Sequence, residues 1–284
     1  MENKFAKRRQ WGPSPSYQRV ESYIPPHGNF ISIAGPCSVE SAEQINDIAA
    51  IVKALGATHL RGGCFRAGTY PGQNFGWIDL DLIKAFQTVA NWNKMQNIVE
   101  VFDHNSQDTW KALKFADCVQ VGCRQQQNYP LLRFVGNLGR PVFLKRHPGS
   151  TIDEFLGSAE HVLTAGCKEL YLIERGSSTN HTHVRWDLSI SMIPAIQAIT
   201  NIPIICDASH GTGRRDLVEP MALAGVAAGA NGLLVEVHAD PEKSISDSDQ
   251  AITPKTYKEL VQKVNKVWWA THGGTNNEEP QAKQ

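Results

Sequence analysis

The strongest constraint on this chain is a rhythm that repeats eight times: a short apolar run, a polar or glycine-rich loop, then a stretch with helical spacing. The runs read FISIAG, THLRGG, NIVEVF, CVQVG, PVFLKR, LYLIER, IPIICD and NGLLVEV. Most are continuous rather than alternating, the pattern of strands buried on both faces of a parallel sheet. The pieces between them include SAEQINDIAAIVKALG and TIDEFLGSAEHVLTAG. Both carry apolar residues at helical spacing and stop at glycine, which tolerates the left-handed turn at a helix end. Eight strand–helix units in roughly 240 residues predict an α/β fold of the closed (β/α)8 type, the TIM barrel. An open, doubly wound sheet would use the same alternation. No G-x-G-x-x-G follows the first run, however, which weakens a dinucleotide-binding version of it.

The flanks differ from this middle. Polar, proline-bearing text predicts an arm over 1–28, the barrel occupies 29–269, and 270–284 reads as a disordered tail. Neither flank is long enough for a regulatory domain, so no feedback through one is expected. Lysine plus arginine and aspartate plus glutamate are 28 each, so no net field draws the chain to nucleic acid or membrane. Any anion must be held by local arginines. The six cysteines form no C-x-x-C pair and mostly lie inside apolar runs. They are expected to be reduced core thiols of a cytoplasmic protein. No run is long enough to span a bilayer, and the start MENKFAKRRQW lacks the apolar core of a secretion signal.

In such a barrel, function gathers at the C-terminal ends of the strands. Those ends carry Cys37, then Arg61 leading to Arg66, Glu100 and Asp103, Arg124, Lys145 with Arg146, Glu174 with Arg175, Asp207 and His210, and finally Glu236 with Asp247 beyond it. Cys37, His210, Glu236 and Asp247 make a mixed sulfur, nitrogen and oxygen set suited to a divalent transition metal. Arg61, Arg124, Lys145 and Arg175 make a cationic group suited to a phosphate and a carboxylate together. The stretch SHGTGRR serves both: His210 toward a metal, its glycines and Arg214 shaping an anion pocket at a helix start. His238 is placed to border the metal, and His147 to touch substrate. Each position also has a structural reading. Glu236 could be half of a barrel ion pair, Lys145 could pair with Glu174, and Arg214 and Arg215 could cap or pair on a helix face. His181 and His183 read as a surface loop, and the tryptophans of VWW as packing or an oligomer contact.

Taken in order, IAGPCSVES, LRGG, VGCRQQQN, LKR, ERG, SHGTGRRDLV and VEVHADPEKSISD resemble the 3-deoxy-D-arabino-heptulosonate 7-phosphate (DAHP) synthases, and the compact subgroup related to the 3-deoxy-octulosonate 8-phosphate synthases. The resemblance implies a (β/α)8 barrel that condenses phosphoenolpyruvate with an aldose phosphate, erythrose 4-phosphate in the DAHP type. It places Cys37, His210, Glu236 and Asp247 on metal-ligand positions, the ion being Mn, Fe, Co or Zn, and a homotetramer or homodimer is expected. It places Arg61, Arg124, Lys145 and Arg175 on phosphoenolpyruvate-binding positions. Lys145, Arg61, Cys37 and His210 are the expected catalytic group.

One stretch departs from the family's pattern. Where the family reads LRGGxFKPRTSP, this chain reads LRGGCFRAGTYPG. Arg66 stands for the lysine that contacts phosphoenolpyruvate, Gly68 for the arginine that holds the acceptor's phosphate, and Tyr70 for a serine, while Thr69 is kept. Loss of a charge-assisted contact of that kind weakens acceptor binding by about 1.5–3 kcal/mol. The sequence therefore predicts a retained donor half-site with Arg66 and Thr69 as further substrate contacts. It leaves three functions open: DAHP synthase itself, a homologue using another aldehyde, and a barrel that binds metal or phosphoenolpyruvate without turnover. A Schiff-base aldolase using Lys145 is a fourth mechanism to exclude.

Overall fold

The computed structural model describes residues 18–26, 28–64 and 79–271. Eight parallel strands pair in chain order and close through β1 and β8 into one barrel. They are β1 Ile31–Gly35, β2 His59–Arg61, β3 Gln96–Val101, β4 Cys118–Val121, β5 Val142–Lys145, β6 Leu170–Glu174, β7 Ile204–Asp207 and β8 Gly232–Glu236. Every apolar run of the sequence holds one of them.

Alternation along each strand sorts the side chains into two cores. Outward positions such as Ala34, Leu60, Val99, Val119, Leu144, Leu172, Ile204 and Val235 join the layer between strands and helices. Inward positions, among them Ile33, Ile98, Phe143, Tyr171, Ile173, Ile205 and Leu234, form a separate cluster that fills the barrel. Phe143 and Tyr171 stack at 4.6 Å between ring centroids, and His59 meets Phe143 edge-on at 5.3 Å. Because strand side chains repeat every two residues, the next inward position is Arg61 after His59, Glu100 after Ile98, Lys145 after Phe143, Arg175 after Ile173, Asp207 after Ile205 and Glu236 after Leu234. The barrel is therefore apolar below and charged at its C-terminal mouth.

The surrounding helices start where capping residues dictate. Helix α2, Ala42–Ala54, is capped by the Ser41 hydroxyl, which accepts from Gln44 N–H. Helix α6, Ile152–Thr164, has a reciprocal Thr151–Glu154 capping box. The described part of the arm is docked on the barrel. Helix α1, Gln18–Glu21, sends the Arg19 and Val20 N–H groups to the Glu160 carboxylate on α6. Val20 is buried, and Tyr23 Oη accepts the N–H of Leu170 at the start of β6. The last helix, Pro254–Thr271, brings Trp268 edge-on against Phe30 at 4.8 Å, so this tryptophan packs within its own chain. None of the six cysteines is in a disulfide. Among the described residues no helix is long and apolar enough to cross a membrane.

Candidate active site

The charged mouth is organised by Asp207, the last residue of β7 and the N-cap of a short helix over Ala208–Thr212. One carboxylate oxygen accepts the His210 backbone N–H at 3.0 Å and also lies 3.0 Å from His210 Nδ1. The other accepts from Lys145 Nζ at 3.0 Å. Burial pushes the Asp207 carboxyl up, but His210 and Lys145 outweigh it, and the group is held well below the usual carboxylate range. Asp207 thus orients the ring through Nδ1, and with a metal bound beyond it Nε2 would be the ligating atom.

That Nε2 lies 3.2 Å from Glu236 Oε1. Glu236 ends β8 and is fully buried. Its Oε1 accepts from Arg61 at 2.5 Å and its Oε2 from Gln250 at 2.7 Å. Burial raises its affinity for a proton, yet His210 and Arg61 prevail and hold the carboxyl low, while Asp247 opposes them. His210 Nε2 and Glu236 Oε1 thus border the same space, and a cation placed there would be shared by an imidazole and a carboxylate.

The other donors complete a fit. Donor atoms of Cys37, Glu236 and Asp247 lie within 4.8 Å of one another, with Cys37 Sγ 2.9 Å from Asp247 Oδ2. Cys37 comes from the loop after β1, Glu236 from β8 and Asp247 from the loop beyond it, and β1 pairs directly with β8. Asp247 occupies the left-handed region at φ 51°, which aspartate tolerates better than most residues. One thiol, one imidazole and two carboxylates meet the donor number and types that divalent transition metals take. His210 is brought to the edge of this set by Glu236.

The expected cations divide into three kinds. Arg61, Lys145 and Arg175 are buried at the mouth. Arg61 is held charged, because Glu236, Cys37 and Asp207 outweigh the burial that opposes its charge. Arg124 lies exposed on the turn Cys123–Gln125 that follows β4. Arg214 is not brought into the cluster: its guanidinium forks onto Asp216 and donates to the His183 carbonyl at the exposed rim. Arg214 is the extended residue just before the helix Arg215–Ala227, and from there its side chain reaches Asp216 in the first turn. Arg66 and Thr69, with Gly68 and Tyr70, lie outside the described residues.

The direction in which each side chain points settles the remaining pairings. Lys145 pairs with Asp207 across the mouth, not with Glu174; it is Arg146, fully buried, that forks onto Glu174. Adjacent strand residues point to opposite faces, so only one of Lys145 and Arg146 can reach the interior. Glu236 is half of a barrel ion pair and a candidate ligand at once. His238 faces Glu40 at 3.4 Å and accepts from Asp240 N–H, so its described contacts are not with the metal set. His147 and the 181/183 histidine pair are exposed. Asp103 caps its own turn by accepting from Asn105 N–H.

Two contributors had little local signal. Arg185 reaches Asp247 at 3.6 Å, and Trp186 lies under the Arg175 guanidinium at 5.1 Å. Both belong to the loop between β6 and the helix Met192–Gln197, where nothing in the spacing marks them.

A closed barrel whose mouth joins a metal-competent donor set to buried guanidinium and ammonium groups defines an enzyme acting on anionic substrates. The comparisons place it more finely. Residues 24–271 match the DAHP synthetase I family. Phospho-2-dehydro-3-deoxyheptonate aldolase of Thermotoga maritima is 39% identical over 241 residues, covering 85% of this chain and 70% of that protein. A 2-dehydro-3-deoxyphosphooctonate aldolase of Desulfotalea psychrophila is 26% identical over 84% of this chain and 89% of its own. The crystal structure of the T. maritima DAHP synthase superposes with a TM-score of 0.81 at 38% identity, over 86% of this chain and 71% of that one. A truncated form of the same enzyme gives 0.78, over 86% and 88%. The chain belongs to the DAHP synthetase I family and is a transferase of the DAHP-synthase type.

Proposed function

We propose that this enzyme condenses phosphoenolpyruvate with erythrose 4-phosphate, giving DAHP and phosphate, in a metal-dependent reaction of aromatic amino acid biosynthesis. The observation that carries the reading is the meeting, at one barrel mouth, of the Cys37, Glu236 and Asp247 donors with His210 and with Arg61, Lys145 and Arg175. Cys37, His210, Glu236 and Asp247 would hold a divalent ion, Mn, Fe, Co or Zn, which supplies Lewis acidity toward the acceptor's aldehyde oxygen. Arg61, Arg124, Lys145 and Arg175 neutralise the phosphate and carboxylate of phosphoenolpyruvate and aim its carbon three at the aldehyde carbon. After that bond forms, water adds at carbon two, and the hemiketal phosphate collapses with loss of phosphate. Lys145, held by Asp207, is placed to hold or move a proton. An ammonium locked on a carboxylate is a poor nucleophile, which speaks against a Schiff base at Lys145.

The carboxylate that orients the water is Glu100. Asp207 is engaged by His210 and Lys145, and Asp103 caps its own turn. Glu100 lines the mouth, where a Cβ on Gly122 would come within 2.1 Å of its Oε1.

A second reading, a different aldehyde acceptor, is favoured by Arg66, Gly68 and Tyr70 in the stretch where the family's pattern changes. Phosphate release from phosphoenolpyruvate, measured against a panel of aldoses and aldose phosphates with and without Mn2+, separates the two. Metal-dependent release with erythrose 4-phosphate supports the first reading. Silence with it and turnover with another aldehyde selects the second. No release with any acceptor overturns both.

A further inference from the structure

Arg175 carries an unsolved problem of charge. It follows Glu174 at the end of β6 and is buried. Its Nε and one terminal nitrogen, Nη1, are fully shielded from solvent and have no hydrogen-bond partner. A buried guanidinium with unused donors is costly unless an acceptor arrives. The nearby carboxylate does not fill that role, because Glu174 is spent on Arg146 and on the Gly176 N–H. What Arg175 does have is a face: its Cζ lies 5.1 Å from the ring centroid of Trp186.

Trp186 is itself fastened in place. Gly176, at φ +101°, passes so close that a Cβ there would fall 2.7 Å from Trp186 Cβ. The loop is then closed by a pair of backbone hydrogen bonds between Ser177 and Asp187, at 2.8 and 3.0 Å. Ser177 Oγ is in turn bound by buried Arg146 at 2.7 Å. The neighbouring Arg185 donates its N–H to Thr212 O at 2.8 Å and reaches Asp247. One loop thus touches the anion side of the mouth through Trp186 and the metal side through Arg185.

We propose that Trp186 is a positioning residue for anion recognition: its indole face holds the Arg175 guanidinium flat, so that Nε and Nη1 are presented to a phosphate or carboxylate. A planar fork restrained on one face keeps its in-plane donors fixed and avoids the entropy of ordering them when the anion binds. The proposal rests on the reading of Arg175 as an anion-binding residue. Trp186 Nε1 is also buried without a partner, so the test must separate the indole face from its N–H.

The test measures dissociation constants for phosphoenolpyruvate and for inorganic phosphate by calorimetry in the full-length chain and in Trp186→Phe and Trp186→Leu. Thermal unfolding of all three is recorded alongside. Trp186→Leu is expected to bind both anions about three- to ten-fold more weakly, the factor that ordering one long side chain on binding corresponds to. Trp186→Phe, which keeps a ring face and loses the N–H, is expected to stay within about threefold of the parent. Adding phosphoenolpyruvate should change the tryptophan emission of the parent, and the change should be lost in Trp186→Phe. Unchanged affinity in a folded Trp186→Leu overturns the proposal. So does equal loss in both variants, which would assign the effect to the N–H or to the fold. If phosphoenolpyruvate never turns over but phosphate binding follows this order, the positioning role stands and the proposed reaction falls.

Discussion

Asp207 is fully buried yet held ionised, because His210 and Lys145 both lean on it. It orients the His210 ring through Nδ1 and keeps Lys145 at the mouth. Asp207→Asn keeps the shape and removes the charge. It is expected to weaken Mn2+ binding ten- to a hundred-fold, the usual effect of losing a ligand's outer partner. A metal titration showing parent-like affinity would remove Asp207 from this role. Asp247 offers a cleaner separation of fold from binding. It sits at φ 51°, where glycine is at ease, so Asp247→Gly should not lower the thermal stability of the metal-free protein while metal affinity falls. At this scale the sequence was informative about identity and weak about partnership. Cys37, His210, Glu236 and Asp247 could be named from residue types and resemblance. That Lys145 chooses Asp207 over Glu174, or that Arg214 stays with Asp216, depends on which way each side chain points.

The strands owe their precision to close backbone approaches. Gly35 ends β1 at φ +148°, and a Cβ there would fall 2.1 Å from the Arg61 carbonyl oxygen. Gly35→Ala is expected to push β1 from β2, cost about 3 kcal/mol or more in denaturant unfolding, and impair activity through Arg61. The helices carry their own local stop and start signals. Thr151 and Glu154 form the capping box of α6, and Thr151→Ala should cost about 1 kcal/mol without affecting activity. A stability loss of several kcal/mol would show that Thr151 does more than cap. Element type and order were legible because continuous apolar runs and capped helical stretches report burial locally. The short helix over Ala208–Thr212 was less so: it is five residues long, and only the Asp207-to-His210 spacing hints at it.

At the scale of the whole molecule the barrel separates an apolar interior from a charged mouth, and two measurements probe the division. His59, inside the barrel against Phe143 and Tyr171, is pushed down by burial to about 4 from an ordinary 6.5, with Gln96 working the other way. The folded state refuses a proton that the unfolded chain accepts below pH 6.5. Its contribution is therefore fully present above that pH and is lost as pH falls toward 4, at most about 3 kcal/mol. His59→Asn should show a shallower loss of stability between pH 6.5 and 4 than the parent in urea unfolding; parallel curves would show that His59 is not the group responsible. For the mouth, Mn2+ at about a hundred times its dissociation constant should stabilise the fold by about 2.7 kcal/mol. A chelator should reverse the gain, and Cys37→Ser combined with Asp247→Gly should abolish it. What the sequence alone determined was the architecture and the candidate residues that its strand ends carry. Strand and helix signals are local, and a period of two places every second residue inward. What only the tertiary structure decided was the pairing among those residues and the roles of Trp186 and Arg185. Those follow from closure of β1 on β8 and from one loop folding across the mouth, contacts between positions far apart in the chain that no local spacing encodes.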